Sequence, residues 1–381
     1  MRILQVVTYI SPDGAYGGPV RVALNQAKAL TALGHEVVVA GAAGGFDGNL
    51  PTTYDDFPVR LFPGHRVVPQ TGFAGLTALG LLKWLPKALR HADVVHVHMS
   101  RDLVTLPSAA MALRARRPLV AQTHGMIDPT DKLLAKPLDA LLTVPVLKAS
   151  STVLHLTAQE RSDLEAVAGP DLSTQALPNG VHVPSVPAVE QTDGPAGRPE
   201  VVCLARVHSI KRPLTFVRAG LALRAGRLDA RFTLVGPDEG EGEVVRSALA
   251  TGGHEDSVTW QGPVAPHQTT ERLRRASVFA LPSKSELVSM STLEAMALGL
   301  PVVIMDTHGL APLVRERQAG IVCSMSQQCF DDAVACLLED PELRRSMGAN
   351  GRQAVRDLYS IRHVGQTLAS IYTAAKKADE S

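Results

Sequence analysis

Two basic residues and two glutamates in the second half of the chain have the types and spacing of a site for an anionic ligand. Arg206 follows the apolar run V-V-C-L-A, and Lys211 comes after four further residues, just before a helix with Pro213 at its first position. Glu286 and Glu294 are separated by seven residues. Cations at the carboxyl end of a strand and at a helix N-terminus favour anions. The alternative is that both cations are solvated and both carboxylates structural.

The two glutamates belong to a predicted strand–loop–helix–strand unit. Residues 278–281 form a short apolar run that suits a buried parallel strand, and residues 301–305 form the next one. Glu286 lies in the loop between the first strand and the helix. We expect the helix to begin at Ser291, with Glu294 as its capping-box partner. Open α/β sheets bind ligands at this carboxyl edge, so the unit presents both carboxylates where a ligand would lie.

The first residues of the chain predict a second place for an anion. Residues 2–7 and 35–40 are expected strands, joined by a glycine-rich turn and a helix that starts near Gly17 and Gly18. Amide groups and the helix dipole there favour a phosphate, although glycines required only by a tight turn are an equal alternative. The G-x-x-G-G spacing is not the dinucleotide fingerprint, and the following strand ends without an acid for a ribose.

Strands and helices alternate along the whole chain, which predicts an α/β protein with two Rossmann-like domains. Residues 1–184 are assigned to an N-terminal domain and residues 200–360 to a C-terminal domain. A Pro- and Gly-rich segment at 185–199 is the expected linker, and residues 361–381 are an expected C-terminal helix. Two such domains are expected to face each other across a deep cleft.

Composition narrows the function classes. A net charge of +1 and only 4% aromatic residues give no support for nucleic-acid binding. None of the four cysteines forms a C-x-x-C pair, so we expect a reduced, cytoplasmic protein without disulfides or zinc. The chain contains neither an apolar stretch long enough to cross a membrane nor a D-x-D motif to bind a divalent ion, and its N-terminal apolar run is too short for a secretory signal.

The run S-E-L-V-S-M-S-T-L-E-A-M-A-L-G-L-P-V-V resembles the E-x7-E signature of the retaining GT-B glycosyltransferases of family 4. The resemblance extends over nearly the whole chain and implies the GT-B fold, with an acceptor-binding first domain and a second domain that binds the nucleotide sugar. It implies further that the C-terminal helix, residues 361–381, crosses back to the first domain. It also implies that Glu286 lies by the donor sugar and that Glu294 binds the ribose of the nucleotide. The family usually has Gly-Phe-Gly after the first glutamate, whereas this chain has Leu287, Val288 and Ser289. These side chains are expected to narrow the donor pocket.

Other motifs of the same family have counterparts here. The R-x4-K pattern resembles its phosphate-binding pair, which implies that Arg206 and Lys211 bind the donor diphosphate without a divalent metal. The family usually has Gly after the Lys, and here Arg212 follows. The run H-G-M-I-D-P resembles the active-site histidine loop of the first domain, which implies a catalytic role for His124. Asp128 is assigned to the acceptor side.

His96 and His98 are predicted to lie on one face of the same strand. Two histidines at i and i+2 can hold zinc, but a third ligand is not apparent, so we interpret the pair as core or edge histidines. His98 is also assigned, with Asp128, to the acceptor side.

The sequence therefore predicts a metal-independent retaining glycosyltransferase. It would move a sugar from a nucleotide-diphosphate sugar to a hydroxyl of a carbohydrate, lipid-linked or small-molecule acceptor. Two alternatives stay open, a nucleotide-sugar epimerase of the same fold and a non-catalytic two-lobed protein that binds a sugar or a nucleotide.

A basic segment in the first domain raises a further question of location. Residues 57–117 carry nine Lys or Arg against two acids, and Lys83, Trp84, Lys87 and Arg90 fall near one another on an expected helix that Pro86 should weaken. Such a surface can meet anionic lipid headgroups at the inner face of a membrane, or it can be a solvated basic face.

Overall fold

The structure of the protein, a computed structural model, describes residues 1–12, 17–67, 72–131, 135–184, 197–226, 228–253, 256–265 and 268–380. It divides into two compact units, Met1–Gly180 with Ile361–Ser381, and Val181–Ser360. Residues 181–184, which the sequence analysis assigned to the first domain, lie with the second unit. Most of the predicted linker, residues 185–196, lies outside the described residues.

The first unit is built on an eight-stranded sheet in the order β10-β9-β8-β7-β1-β2-β4-β3. All its strand pairs are parallel except β3 with β4. The strands of this unit, including the separate ribbon of β5 and β6, are β1 Arg2–Ile10, β2 Glu36–Ala43, β3 Thr53–Tyr54, β4 Phe57–Pro63, β5 His65–Arg66, β6 Leu76–Thr77, β7 Val94–His98, β8 Leu119–Gln122, β9 Thr152–His155 and β10 Thr174–Ala176.

The second unit has a six-stranded, fully parallel sheet in the order β13-β12-β11-β14-β15-β16. Its strands are β11 Glu200–Leu204, β12 Arg231–Val235, β13 Val258–Gly262, β14 Val278–Leu281, β15 Val302–Met305 and β16 Gly320–Cys323. Every residue of β14 and β15 is buried, which explains why both read as uninterrupted apolar runs rather than as alternating patterns.

Helices follow most strands in both units. Those of the first unit are α1 Gly17–Ala32, α2 Leu79–Leu89, α3 Thr105–Arg114, α4 Ala135–Leu138, α5 Val144–Ala149 and α6 Ala158–Ala168. Those of the second are α7 Pro213–Ala225, α8 Gly242–Gly252, α9 Thr269–Arg274, α10 Met290–Ala297, α11 Ala311–Arg317, α12 Gln327–Glu339 and α13 Pro341–Leu358, and α14 Ile361–Glu380 completes the first unit. Across the described ranges, we find no helix that combines the length and apolar character needed to cross a bilayer.

The last helix, α14, covers part of one face of the first sheet. Leu368 and Tyr372 are fully buried there and pack in one cluster with Val94, Val120 and Leu154 of three neighbouring strands. The first unit therefore takes its core from both ends of the chain.

Candidate functional site

The carboxyl edge of the second sheet contains the point where a doubly wound sheet binds its ligands. The first three strands run outward as β11, β12 and β13, and the next three run the other way from β14, so the order reverses between β11 and β14. Loops that leave two adjacent strands in opposite directions create a crevice at this position. Arg206 and Lys211 lie in the loop after β11, and Glu286 lies in the loop after β14.

Lys211 and Glu286 form an ion pair in this crevice. The Lys211 Nζ donates to Glu286 Oε1, and the Ser283 hydroxyl donates to the same oxygen at 3.1 Å. The Lys211 and Glu286 side chains are only 16% and 11% exposed, so Glu286 is not a solvated loop acid. The two loops are also joined by their backbones, since the Lys284 N–H donates to the Ile210 carbonyl at 2.8 Å.

Arg206 has a carboxylate partner of its own, which sequence reasoning missed. Its Nη1 donates to Glu239 Oε2 at 2.6 Å, and the two side chains are 52% and 34% exposed. Glu239 lies in the loop after β12, where its N–H donates to the Val207 carbonyl at 3.0 Å. The available signal was the acidic run P-D-E-G-E-G-E, which follows a predicted strand of the same sheet.

His308, on the loop after β15, is a second residue that sequence reasoning missed. Its neighbour Gly309 donates its N–H to the Glu286 carbonyl at 2.7 Å, which joins this loop to the Glu286 loop. Burial lowers the pKa of His308 to about 4. Its Nδ1 accepts from the Leu310 N–H at 3.0 Å, so the ring is neutral with its proton on Nε2.

The start of α10 differs from the prediction. Ser289, with extended backbone, is the N-cap, and its Oγ accepts from the Thr292 N–H at 3.3 Å. The Ser291–Glu294 capping box is therefore wrong, because Ser289 satisfies the helix terminus two residues earlier. Glu294 lies a turn further into the helix and is half-buried, at a position where its carboxylate cannot reach back to the cap.

Two of the three residues that stand in place of Gly-Phe-Gly, Leu287 to Ser289, make structural contacts within the second unit. Ser289 caps α10, and the half-buried Val288 packs against the core. Leu287 is half-buried and its carbonyl lies so close to Gly309 that any side chain at 309 would collide with it.

In the first unit, the His124 turn is held by a buried carboxylate. His124 has a φ of 52°, a left-handed conformation that is unfavourable for a residue with a side chain. Its neighbours Thr123 and Gly125 donate to Glu160 Oε1, from the hydroxyl at 2.6 Å and from the N–H at 2.5 Å. Glu160 Oε2 accepts from the Leu156 N–H at 2.6 Å.

Thr157 and Glu160 have the spacing of a capping box, which by itself would make Glu160 only a helix-terminus residue. Thr157 does cap α6, accepting from the Glu160 N–H at 3.1 Å. The Glu160 carboxylate, however, is committed to the His124 turn. The local motif gave no signal for it, because Gly125 lies 35 residues away along the chain.

His98 is in direct contact with the His124 ring. Its Nδ1 is 2.8 Å from His124 Nε2, and its ring stacks on that of His96 with centroids 4.4 Å apart. Both strand histidines are completely buried, which confirms their interpretation as core histidines. Their burial also makes the acceptor-side assignment of His98 wrong, because its ring has no surface for an acceptor to contact. Desolvation lowers the pKa of the half-buried His124 to about 3.

Gly17 and Gly18 are the first residues of α1, and the turn before them, residues 13–16, lies outside the described residues. Gly18 is exposed, and a Cβ added there would meet nothing within 4 Å. Neither packing nor a left-handed φ requires glycine at 18, so the tight-turn alternative does not account for it. Asp128 is exposed and pairs with Arg101 at 3.3 Å.

The basic segment departs from expectation at two residues. Helix α2 continues through Pro86 to Leu89. Trp84 is half-buried, with its ring centroid 5.4 Å from that of Phe62, so it packs within the first unit instead of anchoring a lipid surface. Among the described residues of this segment, the large apolar side chains that are exposed are Val67 and Leu79, at 55% and 60%.

Two Rossmann-like units with a cation and carboxylate set at the switch point of the second define a protein of the GT-B glycosyltransferase class. The solved structure of Anabaena HepE in complex with UDP superposes on 98% of this chain and 100% of its own, with a TM-score of 0.74 at 18% identity, so the fold is shared. The predicted α/β architecture with two Rossmann-like domains is confirmed.

The chain belongs to the group 1 glycosyltransferases. Residues 198–340 match the family described as "Glycosyl transferases group 1", and residues 17–180 match a "Glycosyl transferase 4-like domain". A GDP-mannose-dependent alpha-(1-6)-phosphatidylinositol monomannoside mannosyltransferase of Mycobacterium tuberculosis is 30% identical over 65% of this chain and 69% of its own length. A D-inositol 3-phosphate glycosyltransferase of Arthrobacter sp. is 28% identical over 49% of this chain. The matches to that enzyme and to two other relatives, at 28–31% identity, cover only 41–45% of the relatives' own lengths.

Proposed function

We propose that this chain is a retaining glycosyltransferase that moves a sugar from a nucleotide-diphosphate sugar to an acceptor hydroxyl without a divalent metal. The observation that carries the proposal is the position of Arg206 and Lys211 at the switch point of the second sheet. Lys211 lies just before α7, a helix of 13 residues with Pro213 at its first position. A diphosphate leaving group gains negative charge as the glycosidic bond breaks, and cations in place beforehand stabilise that charge.

Both cations have carboxylate partners, so each already binds an anion that a donor diphosphate could displace. A donor diphosphate would replace Glu239 at Arg206 and compete with Glu286 at Lys211, exchanging one anion for another. The charge that a divalent ion supplies in other sugar-nucleotide enzymes would come from these side chains and from the helix terminus.

The remaining donor contacts follow the family pattern. Glu286 would bind the sugar and Glu294 the ribose, with Leu287, Val288 and Ser289 beside the donor. In the first unit His124 would hydrogen-bond the substrate, and the amides of Gly17 and Gly18 would lie near phosphate. The exposed Gly18, which the fold itself does not require, supports a close approach of a ligand to the backbone.

The transfer step conserves atoms and charge. The acceptor oxygen attacks the anomeric carbon from the face on which the phosphate departs, and the bond from that carbon to the phosphate oxygen breaks. The acceptor proton passes to the departing phosphate oxygen. The new glycosidic bond then has the configuration of the donor.

A donor screen tests the proposal. The purified chain is incubated with UDP-, GDP-, ADP- and dTDP-sugars in the presence of EDTA, and binding and release of the nucleoside diphosphate are followed. GDP-mannose is an informative first donor because a relative's name includes it. Binding of one donor with slow release, accelerated by a carbohydrate, lipid-linked or small-molecule acceptor, is the expected result.

The matched variant is Arg206→Ala, in which donor binding and release of the nucleotide should fall. The pair of Arg206 with Glu239 is exposed and adds little to stability, so a folding defect would not explain that loss. Conversion of the sugar without release of nucleotide would favour the epimerase, and binding without any reaction would favour a sugar- or nucleotide-binding protein. Activity that appears only when a divalent metal is added would refute metal independence.

We also propose a cytoplasmic location with peripheral contact to an anionic bilayer through the basic segment. Lys87 and Arg90 at the end of α2 are exposed, as is Leu79 at its start. Sedimentation with vesicles containing anionic lipid at low salt should retain the protein and release it at high salt. Equal sedimentation of a Lys87→Glu/Arg90→Glu variant would exclude this surface.

A further inference from the structure

We propose that His98 is a positioning residue that fixes the tautomer of His124, with the His124 proton on Nδ1. His124 then meets the substrate as a neutral hydrogen-bond donor. The inference rests on the proposed function for the role of His124, but it makes a separate statement about where one proton lies.

The geometry between the two rings is that of a single in-plane hydrogen bond. His98 Nδ1 and His124 Nε2 are 2.8 Å apart. The ring planes differ by only 13° and their centroids are 5.1 Å apart, so the rings lie side by side with the bond along their shared plane. A bond of this kind contains one proton, and it belongs either to His98 or to His124.

Burial keeps both rings neutral. Desolvation lowers the pKa of His98 well below its ordinary value and that of His124 to about 3. The neighbouring His96 is also buried, and its Nδ1 lies 2.6 Å from the Tyr372 hydroxyl of α14. Each neutral imidazole has one donor and one acceptor nitrogen, so the shared bond decides the role of all four nitrogens of the pair.

The surroundings of His98 decide which nitrogen carries the proton. Its Nε2 is buried without a hydrogen-bond partner among the described residues. If the proton of His98 were on Nε2, that N–H would be a buried donor without a partner among the described residues, and buried orphan donors are rare.

The opposite arrangement removes this conflict. With its proton on Nδ1, His98 donates to His124 Nε2, and its own Nε2 then carries no hydrogen that lacks an acceptor. His124 must then have its proton on Nδ1, which makes no hydrogen bond to a described residue and is left for a substrate oxygen. The Glu160 carboxylate fixes the backbone on both sides of His124, so ring orientation and backbone conformation are set by different residues.

The test is the protonation state of the His124 ring in the full-length protein labelled with 15N-histidine. Long-range 1H–15N spectra distinguish a protonated from an unprotonated ring nitrogen, and a His124→Gln variant assigns the signals. We expect the wild-type spectrum at pH 7 to show a protonated Nδ1 in His124. Protonated Nε2 in His124 would overturn the proposal.

Two variants of His98 separate positioning from packing. In His98→Asn the amide nitrogen occupies the place of Nδ1 and can still donate, so the tautomer and the transfer rate should be close to wild type. In His98→Leu the donor is lost, so the tautomers should mix and kcat should fall by about tenfold or more, as for other partners that orient a functional imidazole. An unchanged His124 spectrum in His98→Leu, or an Asn variant as impaired as Leu, would also overturn it.

The outcomes for the two proposals remain distinct. Undiminished transfer in His124→Gln removes His124 from the proposed function, whatever its tautomer. Should His98→Leu fail to fold, the wild-type spectrum and the Asn variant still decide where the proton lies.

Discussion

The ion pair between Lys211 and Glu286 can be tested as a functional pair by a double-mutant cycle. Lys211→Met leaves the Glu286 carboxylate, 11% exposed, with the Ser283 hydroxyl as its remaining hydrogen-bond partner among the described residues. Breaking a buried pair leaves an uncompensated charge, so we expect the free energy of unfolding of the second unit to fall by about 3 kcal/mol, the lower end of the range for such pairs. Transfer should fall about a hundredfold or more, since each side chain would contribute a few kcal/mol to the transition state.

The double variant Lys211→Met/Glu286→Gln separates stability from activity. Neither side chain is then charged, so about 2 kcal/mol of the lost stability should return. Transfer should remain at the level of the weaker single variant, because the groups that bind the diphosphate and the sugar are still absent. Recovery of transfer together with stability would refute the reasoning and show that the pair is structural.

The chain offers its own reporter and control for this cycle. It has two tryptophans, and in a Trp84→Phe background the fluorescence of Trp260 reports unfolding of the second unit alone. The Glu200–Arg272 pair lies in the same unit with side chains 7% and 9% exposed, and Glu200 begins β11 at the opposite edge of the sheet. Arg272→Met should lower stability by a similar amount, while the transfer rate per folded molecule stays unchanged.

Three further predictions follow from contacts in the second unit. Glu239→Gln should tighten donor binding about two- to fivefold in calorimetry, because the exposed carboxylate no longer competes for Arg206, and weaker binding would show that Glu239 assists the donor. Arg212 has a φ of 51° and donates to the Met325 carbonyl at 3.2 Å. Arg212→Gly and Arg212→Ala both lose that contact, but only glycine relieves the backbone strain, so the Gly variant should be about 1 kcal/mol more stable in urea unfolding. Equal stabilities of the two variants would contradict the strain. The pKa of buried His308 is lowered to about 4, below its unfolded value, so its contribution to stability is complete above pH 6.5 and is lost as pH falls toward 4. Between these two pH values, the free energy of unfolding should fall by about 1.4 kcal/mol per pH unit because of this group. His308→Asn should remove that slope.

The strands of this fold could be predicted from sequence because a buried parallel strand is an apolar run with a definite end. Residues 278–281 were expected as a strand, and the structure has β14 over the same residues. The start of α10 could not be fixed in this way. Ser289 and Ser291 are both acceptable caps, and the choice between them depends on backbone geometry that local propensity does not determine.

The site residues were predictable one by one, but their partners were not. Lys211 and Glu286 stand 75 positions apart, and their pairing follows from the adjacency of β11 and β14. Glu239 and Glu160 were missed because a loop position and a capping position each explain an acidic residue locally. The local pattern does not show that each carboxylate accepts a hydrogen bond from a residue more than 30 positions away. Sequence pattern identifies candidate groups, whereas topology decides which of them meet.

The division of the first unit between the two ends of the chain has a consequence for its biosynthesis. The 180 residues of Val181–Ser360 are translated between its two parts, which takes on the order of 10–40 s at ordinary ribosome speeds. During that interval the sheet face containing Val94, Val120 and Leu154 has no α14 to cover it. The first unit therefore cannot complete its core until the whole second unit has been translated, and a nascent or truncated chain that ends before Ile361 carries an uncovered apolar face for chaperones or proteases to bind.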